Sequence, residues 1–375
     1  MTLDSPYQLP AQIPQLDCLR GLAILLVLVC HIALVIPLSP FLDGVASQGW
    51  VGVDLFFVLS GFLITGILWD SRDGKRYFWR FYGRRVLRIW PAYVLLLILA
   101  FCIIPLSKLI AGGPFLRVPE EPLGVWPYLL MIQNYFAARL SASIILCVTW
   151  SLAVEEQFYL VWPAAIRHAS RRLALPCLFA GITLAPFIRL WMMHRGISQT
   201  AIYYNPLTHG DGLLCGSAVA IWLRSARPRR RTLLVAGSVL IVTGFVLFLP
   251  LRPLHDVSRY SCSPLVLTSV AMISTGLLLV ALTSENTGPL LHRFLFMNRP
   301  LAFLGFISYS LYLCHFTFLR IISSELLLSQ IDWWHHHDLT QFLMLIFGLG
   351  ICILTAWISR VTIERFALSK KGIFE

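Results

Sequence analysis

The sequence predicts an all-α polytopic membrane protein, with about ten transmembrane helices and a short interfacial or re-entrant helix near 123–137. Three observations carry this. The chain is 58% hydrophobic and only 13% charged, with a mean hydropathy of +0.75. Such a composition excludes an ordinary soluble domain and a disordered chain. The apolar residues fall in long continuous runs, whereas a β-barrel shows short alternating segments. The basic residues fall in short loops between those runs, so the net charge of +12 is a topology signal and not a nucleic-acid stripe.

The predicted spans are 19–38, 51–69, 90–110, 150–166, 173–193, 208–223, 232–250, 264–282, 301–321 and 340–360. Crossing about 30 Å of hydrocarbon takes roughly 20 apolar residues, and several of these runs sit at the short end. The segment 123–137 is shorter and contains Pro127, hence its interfacial or re-entrant reading. Residues 1–18 are expected to form one tail, 19–360 the membrane domain and 361–375 a second tail. Residues 1–16 hold no lysine or arginine, so they do not read as a cleavable signal peptide, and the first span is expected to direct insertion.

Charge placement sets the orientation. Segments 70–89, 167–172, 224–231, 283–300 and 360–375 fall on one side if the spans alternate, and together hold 21 lysines and arginines. The opposite side holds 5. The rich side is expected to be cytoplasmic, with both termini there. The nine cysteines show no CxxC pair or Cys/His cluster at ligand spacing. Cys147 and Cys262 are a candidate pair. His335, His336 and His337 lie near Asp332 and Asp338, but nothing else has ligand spacing and no metal is expected.

Ionisable groups inside such spans are costly and mark functional sites. The first span carries Arg20 and His31. Eleven helical residues make about three turns, so the two share a face roughly 16 Å apart. By the predicted topology His31 lies in the outer half of the membrane. Glu155 and Glu156 in the fourth span and His315 in the ninth lie at similar depth, and Asp54 and Asp211 enter from the same side. A polar cavity at that level is expected. His31 is the candidate general base. Glu155 or Glu156 is a candidate to orient its imidazole, as the carboxylate of a triad does. Adjacent helical residues point about 100° apart, so one of the two is expected to face the cavity. Arg20, Arg84, Arg85 and Arg88 are candidates to hold phosphates; simple anchoring by positive charge is the alternative for Arg84 and Arg85.

Trp150 is a candidate sugar platform or a member of the interfacial aromatic belt. Tyr309 and Tyr312, three apart in the ninth span, are candidate cavity-lining residues, and Asp54, Trp150, Asp211, Tyr309 and His315 are the substrate-binding candidates. Ser60-Gly61 lacks the setting of a nucleophilic serine and reads as close helix packing.

Several blocks in order carry a family likeness: RGLAILLVLVCH at 20–31, GWVGVDLFFVLSGFLIT at 49–65, RRVLRIWPAY at 84–93 and TWSLAVEEQFYLVWP at 149–163. GDGLLCG at 210–216, FLGFISYSLYLCH at 303–315 and ERF at 364–366 complete the series. With these blocks nearly the whole chain resembles the acyltransferase 3 family of integral-membrane O-acyltransferases. The resemblance implies transfer of an acyl group, commonly acetyl from acetyl-CoA, to a carbohydrate hydroxyl. It maps the family's arginine–histidine motif onto Arg20 and His31, its glutamate block onto Glu155 and Glu156, and its arginine block onto Arg84, Arg85 and Arg88. Expected partners are acyl-CoA, a carbohydrate acceptor and the lipid bilayer, in a bacterial inner membrane. The competing expectation is an exporter of a saccharide or acylated product that performs no chemistry; it would share the polar cavity.

Overall fold

A computed structural model of the chain describes residues 7, 13–34, 39–103, 105, 121–143, 145–251, 263–284, 295–323 and 338–374. Among these the only regular elements are helices. They are α1 (Pro14–Ala33), α2 (Pro40–Ala46), α3 (Val51–Ser71), α4 (Tyr77–Ile98), α5 (Val125–Leu129), α6 (Ala137–Leu140), α7 (Thr149–His168) and α8 (Ala174–His194). Then come α9 (Gln199–Tyr204), α10 (Pro206–His209), α11 (Asp211–Ala226), α12 (Arg230–Leu251), α13 (Val266–Thr283), α14 (Arg299–Ser323), α15 (Asp338–Ser359) and α16 (Arg365–Ser369). A π-helical stretch Leu99–Ile103 continues α4, a second, Arg360–Glu364, joins α15 to α16, and a 3₁₀ turn Lys370–Phe374 follows.

Among the described residues, each predicted span coincides with helix over most of its length. Eight helical stretches among the described residues are long and apolar enough to cross a membrane, which makes the chain an integral membrane protein. The two predicted spans outside that set are α7, which carries Glu155, Glu156 and Gln157, and α11, which has 16 residues. In the stretch Ile346–Phe374 all the charged residues follow Ser359, so the apolar part ends with α15. The segment predicted to be interfacial or re-entrant is broken into α5, a 3₁₀ turn at Gln133–Phe136 and α6. Pro127 sits inside α5, consistent with a piece that cannot extend into a full span. Cys262 and His335–His337 lie outside the described residues.

The chain divides into two compact units. Unit 1 comprises Met1–Val27, Gln48–Lys75 and Val154–Phe306. Its core holds Leu19 and Ala23 of α1, Leu55, Val58, Leu59 and Phe62 of α3, Val219 and Ala220 of α11, and Leu278 and Leu279 of α13. Helices α3 and α11 pack backbone to backbone. A Cβ on Gly61 would lie 2.0 Å from the Leu213 carbonyl oxygen, and one on Gly216 would lie 2.0 Å from that of Val58. Lipid supplies no hydrophobic drive between spans, so this close approach of small residues is what holds such helices together.

Unit 2 comprises Leu28–Ser47, Arg76–Ala153 and Ile307–Glu375. Polar side chains staple it. Tyr93 of α4 donates to the Tyr128 carbonyl at 3.0 Å, and Gln133 donates to the Thr149 carbonyl at 3.0 Å. Tyr309 of α14 donates to the Ile89 carbonyl of α4 at 2.6 Å.

Candidate active site

In unit 2 the site forms at the end of α1 and the middle of α14. Nε2 of His315 lies 3.2 Å from Nδ1 of His31, with the ring centroids 4.9 Å apart in an edge arrangement. Phe316 packs its edge on the same His31 ring at 5.0 Å. His315 is fully buried. Its Nδ1 faces two main-chain carbonyls, Tyr312 at 2.8 Å and Leu311 at 3.1 Å. Carbonyl oxygens only accept, so Nδ1 of His315 must carry a proton. In the neutral ring its Nε2 is then an acceptor, and Nδ1 of His31 must donate to it. The proton of a neutral His31 is thereby held on Nδ1, and the basic lone pair is on Nε2. This is the tautomer a general base needs.

The support of His315 extends to α7. Tyr312 donates to the Val148 carbonyl at 3.0 Å, and its oxygen lies 2.6 Å from the Ser151 hydroxyl. The Ser151 hydroxyl also reaches the Val148 carbonyl, at 3.3 Å, so one of the two hydroxyl protons joins Tyr312 to Ser151 and the other goes to the carbonyl. Trp150, beside Ser151, is buried. Tyr309, six residues before His315, ties α14 to α4 at Ile89, the residue after Arg88. About 9 Å of helical rise separates that tie from the histidine pair. Arg84 and Arg88 are exposed and Arg85 is half-buried. Arg84 and Arg88, four apart, share a face of α4.

Unit 1 holds a second polar cluster. His209 Nδ1 donates to the Tyr203 carbonyl at 2.7 Å, while its Nε2 lies 3.1 Å from Asp54 Oδ1. One proton must therefore sit on the Asp54–His209 contact, on the carboxyl or on the ring, since two lone pairs would repel. Asp211 Oδ2 takes bonds from Arg189 at 3.1 and 3.2 Å and from Thr268 at 2.8 Å. Arg189 also donates to the Thr268 hydroxyl and to the carbonyls of Pro264 and Thr208, both at 2.6 Å. Side chains of Arg189 and Asp211, like those of Asp54 and His209, are wholly buried. Asp54 and Asp211, substrate-binding candidates by sequence, are thus both engaged in interior pairs. Glu155 accepts from the Ser60 hydroxyl at 2.7 Å, and Glu156 beside it is half-buried. Arg20 forms an ion pair with Asp17 at 2.9 Å on the first turns of α1.

By sequence His315 is a substrate-binding candidate, and a carboxylate is the group expected to orient His31. The group the structure sets against His31 Nδ1 is His315. Tyr312 is a cavity-lining candidate by sequence, but its link to Ser151 carries no periodic signal. His209 adjoins the GDG block and has no motif of its own.

Among the described residues no group of three or more His, Cys, Asp or Glu is arranged to hold a metal ion. No solved structure matches the chain. The peptidoglycan O-acetyltransferase OatA of Listeria monocytogenes is 30% identical over 345 residues, covering 86% of this chain and 52% of that protein. The O-acetyltransferase OatA of Staphylococcus aureus is 28% identical over 340 residues, covering 86% of this chain and 53% of that protein. The chain spans about half the length of the curated relatives it matches. The family model described as an acyltransferase domain matches residues 13–361, nearly the whole membrane region, and the chain belongs to the acyltransferase 3 family.

Proposed function

We propose that the chain is an O-acyltransferase of the bacterial inner membrane. It moves an acyl group, acetyl in the simplest case, from acyl-CoA on the cytoplasmic side to a hydroxyl of a carbohydrate. The single observation that carries this reading is the His31–His315 contact, which leaves the basic nitrogen of His31 on Nε2. The family supports acyl transfer. The Listeria relative, named for peptidoglycan, supports a glycan as the acceptor class. The arginines of α4 support a phosphate-bearing donor, because guanidinium groups bind phosphate by paired charge-assisted bonds.

In this reading Nε2 of His31 takes the proton of the acceptor hydroxyl. The oxygen attacks the thioester carbonyl, a carbon–oxygen bond forms and the carbon–sulfur bond breaks. The proton then passes from His31 to the departing thiolate. His315 is a positioning residue that holds the tautomer. Trp150 is the candidate sugar platform, and Arg84, Arg85 and Arg88 of α4 bind the donor's phosphates. Asp54 and Asp211, each in a buried pair, hold unit 1 together.

The test is transfer of radiolabel from acetyl-CoA to glycan acceptors by the purified protein. Labelled product with wild type, and none with a folded His31→Ala variant, is the expected result. No product with any glycan, together with saccharide uptake into vesicles, would replace the enzyme with an exporter.

A further inference from the structure

The π-helical stretch and α16 bring a second group of cations to the arginines of α4. Phe374 is the anchor. Its ring stands over Gly83, where a Cβ would lie 2.0 Å from Phe374 Cδ1, and contacts the Trp79 ring at 5.2 Å between centroids. Any larger residue at Gly83 would unseat it. Gly83 directly precedes Arg84, and Lys371 directly precedes the short Gly372–Phe374 end of the turn. The anchor therefore sets Lys371 beside the arginine face. The ammonium accordingly lies in the electrostatic field of Arg88, Arg84, Arg360 and Arg85. Arg360 is itself fixed by Glu364 at 2.9 Å, and buried Glu364 is held by Ser310 of α14 at 2.6 Å.

Four arginines act on the Lys371 ammonium, and like charges drawn together in this way repel and work against the fold. An anion of high charge density reverses that sign. Simple anchoring by positive charge needs basic residues on the right side of the membrane, but it does not need them drawn together by a dedicated aromatic seat.

We propose that the 365–374 segment completes an anion site in unit 2, in which Lys371 binds the nucleotide phosphates of acyl-CoA together with Arg84, Arg85, Arg88 and Arg360. The inference rests on the acyl-CoA reading above. Phosphate chemistry is shared by the 3′-phosphate and diphosphate of CoA and by anionic lipid headgroups, and the site is assigned to the first.

Purified protein in nanodiscs of neutral lipid, titrated with CoA and with 3′-dephospho-CoA, tests it by calorimetry and thermal melting. Wild type is expected to bind CoA more tightly than the dephospho form. Lys371→Gln should lose about tenfold in CoA affinity, roughly the worth of one charge-assisted contact. The same variant should melt higher than wild type without ligand, a pairing of effects that a merely structural lysine would not give. Gly83→Val keeps every cation but unseats Phe374, and it should weaken CoA in the same direction. Equal CoA affinity in wild type and both variants would overturn the site while leaving acyl-CoA as the donor. No CoA binding by wild type would overturn the donor reading itself. A Lys371-dependent gain from added phosphatidylglycerol, with none from CoA, would reassign the cluster to lipid.

Discussion

In the proposed mechanism His31 and His315 work as a pair, and their separate roles have separate kinetic signatures. Removing the base itself, in His31→Ala, is expected to lower kcat by about 10²–10⁴-fold, the usual range for a general base. Removing its acceptor, in His315→Leu, leaves Nδ1 of His31 without the partner that holds its proton, and kcat should fall by roughly 10²-fold while KM for acyl-CoA holds. Gln offers an amide oxygen as acceptor, so His315→Gln is expected to retain more activity than the leucine variant. Equal loss in both would show that His315 matters only for packing. A base must be neutral to act, so kcat/KM should fall as pH drops through a single ionisation. That limb should be missing from the residual activity of His31→Ala.

Helix pairs within each unit fail in different ways. The α3–α11 contact has no room for a side chain, because Gly61 and Gly216 face backbone carbonyls. Gly61→Val is expected to cost at least the 1–3 kcal/mol typical of overpacking, read as a lower melting temperature with intact helical circular dichroism. Arg189 ties α8 to Asp211 of α11, Thr268 of α13 and two connecting carbonyls. Arg189→Met leaves the Asp211 carboxylate buried without its partner, and a loss of about 3–5 kcal/mol is expected. The joint Arg189→Met, Asp211→Leu variant should recover most of it. At the α4–α16 contact the effect is one of pH. Partial burial, then the charges of Arg88, Arg84, Arg360 and Arg85, hold the Lys371 ammonium below its ordinary 10.5. The unfolded chain keeps that proton to higher pH, so unfolding takes up a proton between the two values. Stability therefore rises with pH through that window and is unchanged below it. The melting advantage of Lys371→Gln over wild type should be largest near neutrality and shrink as pH approaches 10.5.

For the molecule as a whole, orientation is the open structural proposition. A single cysteine placed at Lys75 should react with impermeant maleimide only from the cytoplasmic side, and one at Arg195 only from the opposite side. Labelling of both from one face would break the ten-span reading. Much of this architecture was legible in advance. Spans are readable because backbone polar groups in lipid must be satisfied within the helix, which demands long apolar runs whatever the tertiary packing. The block from Arg20 to His31, the α4 arginines and the SYSLYLCH run were readable for a related reason: ionisable groups in such runs stand out against their surroundings. What residues on different helices do to each other was not readable. Whether His315 meets sugar or His31, whether Asp54 faces a ligand or His209, and whether Lys371 lies among arginines are decided by helix rotation and by contacts hundreds of residues apart. Hydropathy and spacing therefore specified a helical membrane protein and its suspicious residues. Pairing of those residues, and hence which nitrogen of His31 carries the proton, came only from packing, because a hydrogen bond depends on ångström-level approach between segments that one-dimensional order leaves free.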